Sequence, residues 1–367
     1  MDATPQTEAG AVQEFPCQSC GAKLNFKPGA EALVCPYCGT KQEIAVSEAP
    51  IVEYSLEDGI NRALRSRARD LAEHGVEMEC NGCGARAIVT KQSDHCAFCG
   101  SPVVVAVESD EELIQPESVL PFHVDDTQAK AEFQKWVGSR WFAPNDLKKR
   151  ARTQGMDGAY LPHWTFDSET RTQYTGMRGE HYYETERYTD AEGNQQERRV
   201  QKTNWYPASG RVYVPFDDVL VCASKTLPAK LVQALEPWDL GELKAFQPAY
   251  LAGFATERYT VDLEDGFGLA EERMEPRIRT AIEIDIGGDV QRIMSMQVSH
   301  SDTTFKHVLL PLWISSFRYG EKVYRVVVNA RTGEVAGERP WSAIKIALAV
   351  VFGLALIAGA VYLYKTG

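Results

Sequence analysis

Cys17-Gln-Ser-Cys20-Gly21 and Cys35-Pro-Tyr-Cys38-Gly39 are two Cys-x-x-Cys-Gly steps, fourteen residues apart counted from Gly21. The pattern returns as Cys80-Asn-Gly-Cys83-Gly84 and Cys96-Ala-Phe-Cys99-Gly100, twelve residues apart counted from Gly84. Two thiolates on one tight turn reach the same metal, and a following glycine takes the positive φ that closes the knuckle. Eight of the nine cysteines are placed this way. The spacing predicts two structural zinc ions, one held by Cys17, Cys20, Cys35 and Cys38 and one by Cys80, Cys83, Cys96 and Cys99. With sulfur at all four corners, neither tetrahedron has a position for a reacting water. His95 adjoins Cys96 but is surplus to a filled site.

Short alternating stretches beside the knuckles predict two small β-ribbons, over 14–46 and 76–107, the second starting sixty-three residues after the first as a duplicated module. Between them a linker helix is expected within 47–75. Ser55-Leu-Glu-Asp58 resembles a capping box, and Leu56, Ile60, Ala63, Leu64 and Leu71 recur at helical spacing. Arg62, Arg65 and Arg69 share another face. This is either a solvated stripe, supported by the pairs Asp58/Arg62 and Arg69/Glu73, or a contact for phosphate or an acidic partner. Lys148, Lys149, Arg150 and Arg152 form the most basic run, read as a solvated helix end or as an anionic-lipid or nucleic-acid contact.

The composition shifts after the acidic stretch 108–113, and 115–340 reads as a β-rich α+β domain. Asp126 or Thr127 caps a helix with Ala129, Phe133, Trp136 and Val137 on one face and Gly138 at its end. Strands are expected at 170–175, 181–189, 195–206 and 211–223, an antiparallel meander punctuated by turns at 176–179, 190–194 and 207–210. A helix over 268–286 follows, with Leu269, Ile278, Ile282 and Ile286 apolar, Pro276 interrupting it and Gly287-Gly288 stopping it. Residues 308–316 and 323–329 form a hairpin around Gly320-Glu321. Tyr160-Leu-Pro-His-Trp164 and Leu309-Leu-Pro-Leu-Trp313 echo each other and raise two related half-domains as an expectation. Cys222, inside an apolar stretch, reads as a buried strand thiol.

Residues 346–364 (IALAVVFGLALIAGAVYLY) carry no charge. At 1.5 Å per residue they span roughly 30 Å, the thickness of a bilayer's hydrocarbon core. Trp341 and Lys345 at one edge, and Tyr362, Tyr364 and Lys365 at the other, are suited to the interfaces. The expected architecture is therefore two four-cysteine ribbons, an α+β domain and one C-terminal transmembrane helix. It would be tail-anchored and single-pass. Met1 to Glu14 is polar and lacks a signal-peptide core, and metal-type cysteines fit a reducing compartment. Both place the N-terminal bulk in the cytoplasm.

The formal charge of −12 is computed with neutral cysteines; two zinc centres of four thiolates take it to about −16. That argues against phosphate-driven affinity for nucleic acid. No G-x-x-x-x-G-K-[ST], H-E-x-x-H, G-x-S-x-G or kinase set occurs. His163, His300 and His307 lie in or beside expected strands without a local nucleophile. The reading is a non-enzymatic adaptor that binds protein partners at the membrane and uses no nucleotide. The alternative is a membrane-tethered zinc-ribbon protein that binds nucleic acid through Arg86, Lys91 and the Arg62/Arg65/Arg69 face.

The paired ribbons resemble those of general transcription factor B and the isolated ribbons of primosomal helicase proteins. Trp141-Phe-Ala-Pro144, Tyr160-Leu-Pro-His-Trp164, Phe305-Lys-His-Val-Leu-Leu-Pro-Leu-Trp313 and Val327-Val-Asn-Ala-Arg-Thr-Gly-Glu334 extend the resemblance. Together they look like a bacterial family of membrane-anchored double zinc-ribbon proteins, often labelled primosomal or helicase-like. Some relatives are linked to the phage-shock envelope-stress system, which implies a role in holding partner proteins at the membrane. The resemblance implies no catalytic residues. One departure is Asn329-Ala330, where relatives favour Asn-Gly; it leaves the turn type open.

Overall fold

The computed structural model describes residues 15–45, 50–61, 76–80, 82–89, 96–99, 104–106, 114–144, 155–189, 191, 193–319 and 322–366. The first ribbon carries β1 (Asn25–Lys27), β2 (Ala32–Val34) and β3 (Lys41–Glu43), an antiparallel sheet of its own. β4 (Tyr54–Ser55) leads into α1 (Leu56–Ile60), where Ser55 Oγ accepts the Asp58 N–H at 3.5 Å as the capping pattern predicts. The expected helix beyond residue 61 lies outside the described residues. The second ribbon supplies β5 (Val76–Cys80), β6 (Arg86–Val89) and β7 (Val104–Ala106), which pair antiparallel and belong to a twelve-stranded sheet.

The body opens with β8 (Ser118–Val119) and α2 (Asp126–Gly138). The N-cap is Asp125 rather than Asp126 or Thr127: its side chain accepts the Gln128 N–H while Gln128 returns a bond to the Asp125 N–H. This reciprocal pair satisfies two helix-end donors, which a cap one residue later would leave open. Next come β9 (Asp157–Thr189), β10 (Gln195–Cys222), α3 (Ala229–Gln233), β11 (Lys244–Ala245), β12 (Ala255–Glu257) and α4 (Leu263–Ile286). β13 (Val290–Tyr319), β14 (Lys322–Asn329), β15 (Val335–Gly337) and α5 (Ala343–Thr366) complete the chain.

The expected four-strand meander is two long strands. β9 and β10 pair continuously from Thr189↔Gln195 back to His163↔Cys222, broken by one bulge at Phe216/Val219. The glycines of 176–179 and 207–210 do not turn the chain. A Cβ on Gly176 would stand 2.6 Å from the Arg292 carbonyl oxygen and 2.8 Å from Ile286 Cδ1. One on Gly210 would stand 2.7 Å from the Tyr174 hydroxyl. These glycines admit neighbours against a continuous ribbon, a use that sequence alone does not separate from a turn. Pro207 is tolerated because, among the described residues, β10 pairs with β9 alone and so lies at an edge.

α4 also departs from expectation. It starts five residues earlier, capped by Asp262, and runs through Pro276 without a break. Pro276 sits on the exposed side, where the carbonyl it leaves unbonded meets water. Leu269 is exposed, and the inward stripe is Leu263, Gly266, Ala270, Met274, Ile278, Ile282 and Ile286. This stripe covers Trp164, Phe166, Tyr174 and Val214 of the long ribbon.

The Leu-Pro-x-Trp echo proves to be a local two-fold. Leu161 pairs with Leu310, and around that pair β9 and β13 run antiparallel. β12 lies parallel to β9 at Ala159 and Tyr160, and β8 lies parallel to β13 at Val308 and Leu309. Trp164 donates its indole N–H to Val261 O at 3.0 Å, and Trp313 to Val124 O at 2.9 Å. Each valine immediately precedes an aspartate N-cap, Asp262 or Asp125. Ala223 N–H bonds Pro162 O and Ala330 N–H bonds Pro311 O, closing matched strand ends. The body is thus two strand–helix–strand–strand halves that exchange their first strands. They differ in length: β10 has 28 residues where β14 has 8, and α4 has 24 where α2 has 13.

β13 and β14 form the expected hairpin, paired out to Tyr319↔Lys322, but its first strand begins at Val290 rather than 308; the expected Gly320-Glu321 turn lies outside the described residues. At the Asn329–Gly333 turn, Asn329 Oδ1 accepts from the Arg331 and Thr332 N–H groups. Gly333 takes φ +80° and bonds Asn329 O at 2.8 Å. The positive φ falls on Gly333, so Ala330 is accommodated without a glycine at its position.

Candidate metal centres

Each described knuckle follows one backbone plan. Gly21, Gly39 and Gly84 hold φ of +71°, +74° and +73° and donate to the carbonyls of Cys17, Cys35 and Cys80 at 2.8, 3.1 and 2.7 Å. The same three cysteines bond through N–H to Ala22, Thr40 and Ala85. These bonds turn the first Sγ of each step toward the second. In each ribbon the four sulfurs lie within 4.8 Å of one another. Cross-pair separations are 3.5 Å for Cys17–Cys38, 3.5 Å for Cys20–Cys35, 3.6 Å for Cys80–Cys99 and 3.9 Å for Cys83–Cys96. Zinc–sulfur bonds of about 2.3 Å at tetrahedral angles place sulfurs about 3.8 Å apart, so the residues present fit a zinc ion at both places.

The surroundings favour thiolate at chosen corners. Thr40 Oγ1, 3.1 Å from Cys38 Sγ, and the Thr40 backbone N–H pull the Cys38 thiol down to about 6. The Cys96 thiol lowers Cys83 to about 5. Gly82 N–H points at Cys80 Sγ from 3.3 Å. Thr40 and Gly82 were not legible as supporting residues, because nothing in a Cys-x-x-Cys spacing specifies which neighbour turns back on the sulfur. Cys222 packs at the end of β10, and burial pushes its thiol up to about 12, in keeping with an inert strand thiol.

Both centres are built into the body. Cys17 and Cys35 share one apolar cluster with Leu24, Phe26, Phe122, Tyr250 and Phe254. Phe26 N–H bonds Ala252 O at 2.9 Å, and Gly29 N–H bonds Phe122 O at 3.1 Å. In the second ribbon, β6 pairs with β12 through Ala87↔Glu257, Ile88↔Thr256 and Val89↔Ala255. Phe98, buried between Cys96 and Cys99, presents its carbonyl to Ser316 Oγ at 3.0 Å and Arg325 Nε at 3.1 Å. Beside this seam lies Glu257, which accepts from Ser224 and Thr226 and which burial raises to about 7.

Of the cationic candidates, Arg86 alone lies among the described residues. Arg86 Nε sits 3.1 Å from Glu79, so its charge is already partnered. Arg62, Arg65, Arg69, Lys91, His95, Lys148, Lys149, Arg150 and Arg152 lie outside the described residues.

α5 contains one span, Ala343–Tyr364, of the length and apolarity needed to cross a membrane, and none of it is buried against the body. The expected 346–364 stretch falls inside it. At its start Ser342 N–H bonds Phe142 O at 2.8 Å.

No family model and no solved structure matches the chain. It is similar to the Uncharacterized protein YdjG of Bacillus subtilis (strain 168), with 27% identity over 343 residues, 92% of each chain.

Proposed function

We propose that this chain is a membrane-anchored, non-enzymatic zinc-ribbon adaptor that holds protein partners at the cytoplasmic membrane face, in an envelope-stress setting. The observation that carries the reading is the closure of both metal centres together with their attachment to the body. Four sulfurs at tetrahedral spacing leave no position for a substrate. Cys17 and Cys35 belong to the same apolar cluster as Phe122, and Cys80 and Cys96 to that of Leu310. Zinc in this arrangement stiffens two surfaces and sets them at fixed places on one scaffold. The span in α5 supports a bilayer anchor, and cysteines gathered in metal-type clusters rather than disulfides support the cytoplasmic side.

The test is crosslinking of the full chain in native membranes, followed by identification of the captured proteins. Partners that disappear when Cys20 and Cys83 are both replaced by serine support the adaptor. Retention of DNA or RNA by the detergent-solubilised chain, falling steeply with salt, would replace it with the nucleic-acid reading.

A further inference from the structure

The loop that follows α2 is tied to the first turn of α5 by four contacts. Ser342 N–H bonds Phe142 O at 2.8 Å, and the Phe142 and Trp341 rings lie 6.3 Å apart. The Lys345 ammonium donates to Trp141 O at 3.1 Å and to Ala143 O at 2.7 Å. Ser342 also accepts the Lys345 N–H at 3.4 Å and so caps the helix. A lysine stem reaches only about 6 Å from its backbone, so Trp141 is held at the level where the helix begins.

Trp141 itself is 76% exposed, beside Trp341 at 60% and Ile344 at 75%. An indole left this open in water is unusual for a body whose Trp164 and Trp313 are buried with their N–H groups bonded. Cations accompany it: Arg339 lies over the Trp341 ring at 4.4 Å, and Arg140 over the Trp136 ring at 4.8 Å. Exposed indoles with neighbouring guanidinium and ammonium groups, level with the start of an apolar helix, match the chemistry of a phospholipid headgroup layer.

We propose that the loop around Trp141 is a second membrane contact, seated in the headgroup layer of the leaflet that α5 enters. This rests on the reading of α5 as a membrane span. One helix lets the body tilt and swivel on its anchor; a second contact a few ångströms to the side restrains both. Trp141 thereby sets the orientation in which the body presents its ribbons.

The test uses the full chain reconstituted into mixed phosphatidylcholine–phosphatidylglycerol vesicles that contain lipid brominated near the headgroup. Tryptophan emission is compared for wild type, W141F and W341F, each difference isolating one of the seven indoles. The Trp141 and Trp341 differences should each lose about half their intensity, as interfacial indoles do. Quenching of Trp341 without Trp141 would overturn the second contact and leave the span intact. Quenching of neither would overturn the span reading and the contact with it. Trp141 is so exposed that W141F leaves the fold unaltered, and equal metal content in the three proteins checks this.

Discussion

Phe26 is the residue through which the first ribbon enters the body, and its truncation measures that attachment. It is 3% exposed, with ring centroids 5.6 Å from Tyr250 and 6.3 Å from Phe254, both edge-to-face. Phe→Ala in a core costs about 3–5 kcal/mol, of which about 0.5–1.5 belongs to each favourable aromatic geometry. The lower end applies here, because a small ribbon can lift away once the penalty exceeds what docking contributes, and about 3 kcal/mol is expected. For a body of this size that is a fall of about 6–12 °C in thermal midpoint. The assay is a thermal scan of F26A in detergent, followed by tryptophan emission, with zinc measured in parallel. Phe26 is no ligand, so the zinc content should hold while the midpoint drops. An unchanged midpoint at full metal content would refute the claim that ribbon and body share a core.

Metal analysis of the purified chain should give two zinc ions; C38S should give one and leave the second ribbon loaded, whereas one or none in wild type refutes paired centres. Acid should loosen the body through its buried histidines. Burial holds His163 and His307 at about 4, below the usual value of about 6.5, and each ring donates its Nδ1–H to a backbone carbonyl, Leu161 O or Ile114 O. A histidine lowered on folding contributes stability above its unfolded pKa, and that stability is lost as pH falls from about 6.5 toward 4, on the order of 3 kcal/mol per ring. Because His307 lies 4.7 Å from Trp164, the near-ultraviolet dichroism of that indole reports the loss. H307F should carry the acid transition to lower pH, and an unmoved transition would show that His307 is not what titrates.

The sequence-to-structure correspondence was best where chemistry is local. Cys-x-x-Cys-Gly specifies its own turn, its own glycine φ and its own ligand, so both centres could be placed before any tertiary contact was known. The uncharged run 346–364 is similarly self-contained. The long ribbon was misread because Gly176 and Gly210 have two physical uses. A glycine that turns and a glycine that admits Ile286 or the Tyr174 hydroxyl are identical in sequence; only the partner, on another element distant along the chain, tells them apart. Pro276 misled in a related manner, because its cost depends on whether the carbonyl it frees faces water. The repeated Leu-Pro-x-Trp did signal a duplication. Its meaning lay in the exchanged strands and in the paired indole bonds to Val124 and Val261, which four residues cannot encode.

β9 has a mechanical consequence. Its 33 residues, at about 3.3 Å each, reach roughly 110 Å when straight. The segment leading to α5 leaves near one end, where Glu338 N–H bonds Arg325 O, and the hairpin tip at Thr189↔Gln195 is the other. Near its base the ribbon is three strands wide and braced by α4; past Gly179↔Val290, where β13 has its first pair, and the bond from His181 N–H to Asp289, it is two strands wide among the described residues. Such a beam has a stiff root and a compliant end. A bend is therefore concentrated beyond Gly179, and the tip sweeps a broad arc while the root holds its place on the body.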